Sequence, residues 1–303
     1  MIFENKCEYI SSRGILKSCD VYSKNPKSSC NNDYSYLINM IKQKQMFDGI
    51  SIYVCSDLLK FFVNKILPYI NHKFVLVSGD SDLCVPIEAL NINEINILLS
   101  SKYLLKWFAQ NTQIQNSEKI IQMPIGLDYH TIGTNPNHKW KLVNENHLPF
   151  FQESTLINIK KNSQIFYDRI KKIYVNFSLY NDRFNDRKSA LEKIPKDLLD
   201  INLDFLPRTN NWIKMSKYAF ILSPFGIGMD CHRTWEVLCL GCIPILKAPN
   251  FKNLFSELPV IIVNEWNEVT QELLDKTIED FKTKIFNYDK LKLNFWINQI
   301  KKI

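Results

Sequence analysis

The stretch SKYAFILSPFGIGMDCHRTWEVLCLGCIPILK, residues 216–247, decides the fold. It contains an apolar strand, a loop with two glycines, a helix and a second strand, which is the order of a unit with parallel strands. Glycines at 226 and 228 allow the backbone to approach a ligand closely. The helix behind them directs its free N–H groups and its positive end at the same place. The stretch therefore predicts an α/β domain with a phosphate site at this loop.

Polar and charged side chains surround the loop. Asp230 suits the N-cap of the helix, and Arg233 in the first helical turn could clamp a diphosphate. Glu236 follows one turn later on the same face, where a carboxylate could accept two hydrogen bonds from a vicinal diol such as ribose. An ordinary turn with a surface ion pair between Arg233 and Glu236 remains open. We assign to the donor site Ser223, Gly226, Gly228, Asp230, His232, Arg233 and Glu236.

Residues 216–247 resemble the donor-site motif of exostosin-like, family-47-type glycosyltransferases. In that motif a strand leads to S-P-x-G, then to R-x-W-E, and then to L-G-C-I-P. This chain carries the three parts in the same order at 223–226, 233–236 and 240–244. Weaker likeness extends the match over most of residues 70–265.

The resemblance implies a GT-B fold and transfer of a sugar from a nucleotide donor, most often a UDP-sugar, to a glycan or other hydroxyl acceptor. It implies inversion at the anomeric carbon and no catalytic metal or other cofactor. Carried onto this chain, it implies that Glu236 holds the ribose, that Arg233 holds the diphosphate, and that Gly226 and Gly228 line the phosphate loop. The sequence shows neither the membrane anchor nor the second catalytic module of animal exostosins, which counts against a Golgi setting and a heparan substrate.

Apolar periodicity elsewhere predicts two α/β series. The first has strands at 50–56, 73–80 and 119–126 and helices at 58–70 and 92–111. The second has strands at 172–178, 217–223, 242–247 and 259–263 and helices at 186–194 and 231–240. The predicted fold class is α/β and GT-B-like, with two Rossmann-like domains facing across a cleft. The predicted divisions are an acceptor-side domain at 1–130, a linker at 131–165, a donor domain at 166–268 and a helical tail at 269–303 that packs back on the domains.

An inverting transfer needs a group that takes the proton of the acceptor hydroxyl. Ligands of open α/β sheets lie at the carboxyl ends of the strands. Asp80 and Asp82, directly after a predicted strand, are therefore the first candidates for this base. Asp128, with His130 beside it, comes second, and His232 comes third. A structural role in a turn remains open for the two aspartates of Gly-Asp-Ser-Asp.

Other interpretations of the same residues remain open. Asp80 and Asp82 also fit the D-x-D pattern by which metal-dependent transferases hold a divalent ion. That pattern leaves the glycine-rich segment unexplained, so no metal ligand is assigned. Arg183 could reach the donor phosphates or form a salt bridge within its loop. A catalytically silent module that binds nucleotides or sugars is the alternative from a different functional class.

The composition limits the function classes further. The 303 residues carry a net charge of +7 and 38 basic residues, of which only six are Arg, and the Lys residues are dispersed. A nucleic-acid interface would cluster them, so we expect no nucleic-acid partner. No apolar run reaches the length of a membrane span or a signal peptide. We expect a soluble, cytoplasmic protein, and the Lys-, Asn- and Ile-rich usage is typical of an AT-rich genome such as that of a large DNA virus.

Eight cysteines and several tryptophans are candidates for chemistry or for the core. Without a secretory signal the thiols are expected to be reduced, and Cys239 and Cys242 are expected to be buried structural residues. Trp107, Trp235 and Trp296 stand beside Leu and Val, which favours the core over sugar stacking.

Overall fold

The computed structural model describes residues 4–26 and 33–303, and the first half of the chain is built on a four-stranded parallel sheet. Helices α1 (Ser12–Leu16) and α2 (Ser35–Lys42) precede this sheet. Its strands are β1 (Ile50–Cys55), β2 (Phe74–Gly79), β3 (Leu104–Ala109) and β4 (Ile120–Gln122), in that spatial order. Helices α3 (Leu59–Phe61), which belongs to a run of short helical segments from Ser56 to Tyr69, and α4 (Ile92–Ser100) connect the strands.

Two helices lead to the second sheet, α5 (His130–Thr134) and α6 (Pro149–Lys161). The second sheet is parallel, with β5 (Ile170–Val175), β6 (Leu199–Ile201), β7 (Tyr218–Leu222), β8 (Ile243–Leu246) and β9 (Ile261–Ile262). Its spatial order is β6-β5-β7-β8-β9. The helices that follow are α7 (Asp186–Lys193), α8 (Arg208–Met215), α9 (His232–Cys239), α10 (Lys252–Phe255), α11 (Gln271–Thr283) and α12 (Leu293–Lys301). The predicted α/β class with two parallel sheets is confirmed.

The predicted helix at 92–111 is wrong in its second half. Helix α4 ends at Ser100, and 104–109 form β3, between β2 and β4. The side chains of Trp107 and Phe108 are fully buried there. A short apolar run that is buried on both faces has no periodicity that separates strand from helix. The predicted helix therefore included residues that form a central strand.

The predicted linker at 131–165 contains α6, a helix of 13 residues. Its Leu156 belongs to the largest core cluster, and its Glu153 carboxylate accepts hydrogen bonds from the backbone N–H groups of Glu8 and Tyr9. The segment is therefore packed into the molecule. Strand β6 and helix α8, which apolar periodicity did not predict, also belong to the second half.

The N-terminal segment and the C-terminal helices join the two halves. The Ile10 N–H donates to the Leu291 carbonyl at 2.8 Å, and the Leu127 N–H donates to the Ile10 carbonyl at 2.8 Å. Val21 forms a parallel bridge with Ile52 of β1. This segment therefore contacts both the first sheet and the end of the chain.

Several smaller expectations concern the interior. Trp107, Trp235 and Trp296 are buried in the core. Cys239 and Cys242 are buried as well, and all cysteines in the described residues are free thiols, while Cys30 lies outside them. Among the described residues, no helix is both long enough and apolar enough to cross a membrane.

Candidate functional site

The glycine loop, residues 223–231, follows β7 at a reversal of strand order in the second sheet. The chain passes from β5 to β6 on one side and then crosses to β7 on the other side of β5, so the strand order reverses between β5 and β7. In open α/β sheets a ligand crevice forms outside the carboxyl ends of the strands at such a point. Helix α9 begins directly after the loop, at His232. The fold therefore puts the predicted phosphate loop where this architecture places ligands.

Arg187 of α7 packs directly against the glycine loop. Its Nε donates to the Phe225 carbonyl at 3.0 Å, and its Nη1 donates to the Ser178 carbonyl. A Cβ atom on Gly226 would lie 2.7 Å from Nη2 of Arg187, so glycine is what allows this approach. The sequence placed Arg187 after a strand end without assigning it to the site, and the structure puts its guanidinium beside the loop.

The other glycine of the loop faces the first sheet. A Cβ atom on Gly228 would lie 3.1 Å from Nδ2 of Asn111 and 3.2 Å from Oδ1 of Asp82. The Asp230 N–H donates to Oδ1 of Asn111 at 2.8 Å. The loop is thus held against residues that follow β2 and β3 of the opposite half, and Asp82 lies within the candidate site.

Asp230 is not the N-cap of α9. Cys231 occupies the cap position, and the buried Asp230 carboxylate accepts the Ile125 N–H at 2.7 Å and the Trp235 indole N–H at 2.8 Å. Burial raises the pKa of Asp230 to about 6. Its role in the structure is to connect the two halves beneath the loop, so the predicted cap was wrong although the residue lies in the site region.

The first turns of α9 present the other predicted donor residues. Ser223 is buried at the start of the glycine loop, where its hydroxyl forms a 2.8 Å hydrogen bond with the hydroxyl of Thr234. Nδ1 of His232 lies 2.7 Å from the Gly126 carbonyl oxygen of the first half. Arg233 and Glu236 are partly buried on the same helix. The structure therefore brings these residues together at one edge.

Arg233 carries a charge that the described residues do not neutralise by direct contact. Its Nη1 lies 3.8 Å from Sδ of Met215, and no carboxylate of the described chain lies within 4.0 Å of its guanidinium. Burial lowers its pKa, against the opposing charge of Glu236. A buried cation without an ion-pair partner favours the binding of an anion.

Arg208 at the start of α8 connects the candidate carboxylates, and the sequence analysis did not assign it. It donates to the Asp128 carbonyl and, from Nη2, to Oδ2 of Asp128 at 3.1 Å. Its Nε lies 3.9 Å from Oε1 of Glu236. Its guanidinium stands over the rings of Trp140 and Trp212 at 5.2 Å and 5.9 Å. The sequence signal that could have pointed to Arg208 was the scarcity of Arg in a Lys-rich chain. The planar guanidinium binds a carboxylate through two hydrogen bonds, which Lys cannot do.

Asp128 is an anchored carboxylate. Its Oδ1 lies 3.2 Å from Nδ1 of His130 and accepts the Thr131 N–H at 2.9 Å. Burial alone would raise the pKa of Asp128, but the charges of His130 and Arg208 outweigh it and hold the pKa well below the usual range. Burial lowers the pKa of His130 to about 4, against the attraction of Asp128. Asp128 is therefore ionised, and His130 is neutral, at neutral pH.

Asp80 and Asp82 differ although they are two residues apart. Asp80 is buried, with a left-handed φ of 56°, and its Oδ2 lies 3.7 Å from Nε of Arg13. Asp82 is partly exposed, and burial raises its pKa, with His232 opposing that shift. In the described residues no group of three or more His, Cys, Asp or Glu side chains is arranged to hold a metal ion.

Arg183 bonds to the opposite half. Its guanidinium forms a two-pronged contact with the Glu88 carboxylate, including Nη1 to Oε2 at 3.1 Å. Glu88 also accepts the Cys84 N–H at 2.7 Å. This pair is partly exposed and lies across the two halves. The salt bridge left open for Arg183 is present, but it crosses between the halves instead of closing its own loop.

The structure thus gathers most of the predicted residues at the facing edges of the two sheets, and it adds Arg13, Asn111, Arg187 and Arg208. These additions come from segments far apart in sequence, so no local motif could group them. Comparison with protein-family models and with curated proteins gives no match, and the exostosin-like assignment therefore stays a prediction.

Proposed function

We propose that this protein is a glycosyltransferase of the GT-B type that moves a sugar from a nucleotide-sugar, first of all a UDP-sugar, to a glycan or other hydroxyl acceptor. The transfer is an inverting single displacement without a metal. The observation that carries the proposal is the glycine loop at the strand-order reversal, with Arg187 at its side and Arg233 behind it.

The basic groups at this edge suit a diphosphate. Arg187 and Arg233 approach the glycine loop from α7 and α9, and the N-terminal turn of α9 adds its dipole. Negative charge grows on the diphosphate as the glycosidic bond breaks, and fixed positive groups stabilise it in that state. Glu236, one turn behind Arg233, is placed to accept hydrogen bonds from the ribose diol.

The acidic groups of the first half suit the removal of the proton from the acceptor hydroxyl. Asp82 faces Gly228, and Asp128 lies behind His130. In the structure the two halves touch at the loop, and a cavity of about 340 Å³ opens instead beside Arg208 between α6 and α8. Donor binding between Gly228 and Asp82 therefore requires the glycine loop to move away from Asp82, as loops that close over a ligand do.

The test is thermal stabilisation by UDP, GDP, CMP and ADP, with and without EDTA, followed by a screen for turnover of nucleotide-sugars. We expect UDP to stabilise the protein, and a ligand at a hundredfold excess over Kd adds about 2.7 kcal/mol. Glu236→Ala should remove this stabilisation. Glu272→Ala, an exposed carboxylate in the first turn of α11, is the matched control and should leave it unchanged.

Each other result points elsewhere. Stabilisation that EDTA abolishes would support a metal-dependent transferase that uses Asp80 and Asp82. Stabilisation without turnover of any nucleotide-sugar would support a silent binding module. If no nucleotide stabilises the protein, the donor site has been assigned to the wrong residues.

A further inference from the structure

The hydrogen bond of His232 determines which ring nitrogen carries the proton. Its Nδ1 lies 2.7 Å from the Gly126 carbonyl oxygen. A carbonyl oxygen only accepts, so Nδ1 must be the donor, and in the neutral ring Nε2 holds the lone pair. The side chain is partly exposed, and no described residue forms a hydrogen bond with Nε2. The ring therefore offers a basic nitrogen that the described protein does not use.

His232 also lies between the two functional edges. It is the first residue of α9, Arg233 follows it directly and Glu236 follows one turn later, while its partner Gly126 belongs to the first half. Its ring lies 6.1 Å, centroid to centroid, from the ring of His130. A group in this position can reach a hydroxyl that enters from the first half and attacks a sugar held by the second.

Three carboxylates from different segments interact electrostatically with His232. Asp82 faces it from the loop after β2, Asp128 from the segment after β4, and Asp230 from the glycine loop, and the charge of His232 acts to lower the pKa of each. His130 is the opposing group, and it stays neutral because its own pKa is lowered to about 4.

Of the three aspartates that the sequence analysis named as candidate bases, Asp80 and Asp128 are less suited to take a proton. Asp80 faces Arg13 at 3.7 Å, and Asp128 is held by Arg208. The pKa of Asp128 is held well below its usual range, and a carboxylate with a strongly lowered pKa is a weak base. Asp82 is the remaining rival, because it is partly exposed and its pKa is raised.

We propose that His232 is the general base of the transfer, an inference that rests on the proposed function. Nε2 takes the proton of the acceptor hydroxyl while its oxygen forms a bond to the anomeric carbon. The bond from that carbon to the diphosphate oxygen breaks, and the nucleoside diphosphate leaves with the electron pair. The proton then passes from Nε2 to solvent, so no further reactant is needed.

The test uses His232→Asn, because the amide Nδ2 of Asn stands close to the position of Nδ1 and keeps a donor for the Gly126 carbonyl. The variant lacks Nε2. We expect kcat to fall by about 10²–10⁴-fold, a much larger change than any change in the stabilisation by UDP. His72→Asn, at a partly exposed histidine beside Asp48, is the control and should keep wild-type kcat.

Asp82→Asn separates the two candidate bases. If Asp82→Asn loses kcat to that extent and His232→Asn does not, Asp82 is the base and the proposal is overturned. Loss of kcat in His232→Asn that a small exogenous base such as imidazole restores would support it, because rescue by a base does not repair a structural defect.

The ring tautomer gives a readout that does not depend on turnover. The ¹⁵N and ¹³C shifts of the His232 ring, assigned by comparison with His232→Asn, should show protonation at Nδ1 at neutral pH. Protonation at Nε2 alone would overturn the proposal whatever the substrate is. A correct tautomer with no turnover of any nucleotide-sugar would instead show that the proposed function fails, and the role of His232 as base would fail with it.

Discussion

The two sheets of this protein are both parallel, but their strand orders differ. The first runs β1-β2-β3-β4 without reversal, whereas the second runs β6-β5-β7-β8-β9 and reverses at β5. Only the second therefore has the crevice that a reversal creates at the carboxyl ends of strands. Its edge carries the glycine loop, while the edge of the first sheet lies against that loop as a cover.

The two edges also differ in the charged side chains that they contribute to the candidate site. The first sheet contributes Asp80, Asp82 and Asp128, and the second contributes Arg187 and Arg233. An edge rich in Arg suits a diphosphate, and an edge rich in carboxylates suits proton transfer. The two parallel sheets thus differ both in their strand order and in the charges at their facing edges.

The largest expected effect lies at Arg208, where the two edges form a buried ion pair. Arg208→Met leaves the Asp128 carboxylate buried without its cation, and we expect a loss of about 3–5 kcal/mol in the free energy of unfolding. Arg208→Lys should lose less, because Lys keeps the charge but not the fork. Lys217→Met, at an exposed lysine nearby, is the control. Urea unfolding measures all three.

The pH dependence sharpens this test. The pKa of Asp128 is lowered in the folded protein. The stability that it contributes is therefore present above the unfolded value near 4 and is lost as the pH falls below it. The difference between wild type and Arg208→Met should shrink in acid. A difference that is constant from pH 7 to pH 3 would contradict the ion pair.

A somewhat smaller effect is expected at Asp230, which joins the halves beneath the loop. Asp230→Ala leaves the Ile125 N–H and the Trp235 indole without acceptors, at about 1–3 kcal/mol for each buried group. Asp197→Ala, at an exposed carboxylate, should change the free energy of unfolding little.

The raised pKa of Asp230 predicts a particular pH profile. Because the pKa in the folded protein is about 6, the proton stabilises the fold below the unfolded value near 4, and that stability is lost as the pH rises towards 6. The free energy of unfolding of Asp230→Ala should therefore fall less between pH 4 and pH 6 than that of the wild type. Equal slopes for the two proteins would contradict this assignment.

The smallest effect is expected at the exposed contact between the halves, Arg183 with Glu88. Each alanine variant should change the free energy of unfolding by less than about 1 kcal/mol, and their coupling should weaken in 1 M salt. A double-mutant cycle measures the coupling. If Arg183→Ala lowers stabilisation by UDP and Glu88→Ala does not, Arg183 binds the donor phosphates, as the sequence analysis assigned it.

Local patterns predicted the segment 217–240 of the second half better than the segment 92–111 of the first. The strand, loop and helix at 217–240 were placed within a residue or two, because glycine loops and helix starts depend on nearby residues. The predicted helix at 92–111 failed because the buried apolar run 104–109 is compatible with either structure. The segment before residue 45 has weak periodicity, and its contacts with both halves followed from no local signal.

The sequence by itself determined the α/β class, the glycine loop and the helix that carries Arg233 and Glu236, because these depend on side-chain period and turn chemistry over about thirty residues. Only the tertiary structure decided that Arg208 holds Asp128, that Asp230 joins the halves, and that His232 donates to Gly126. Those contacts join residues about 80 to 106 positions apart. They depend on how two sheets meet, which no single stretch of sequence encodes.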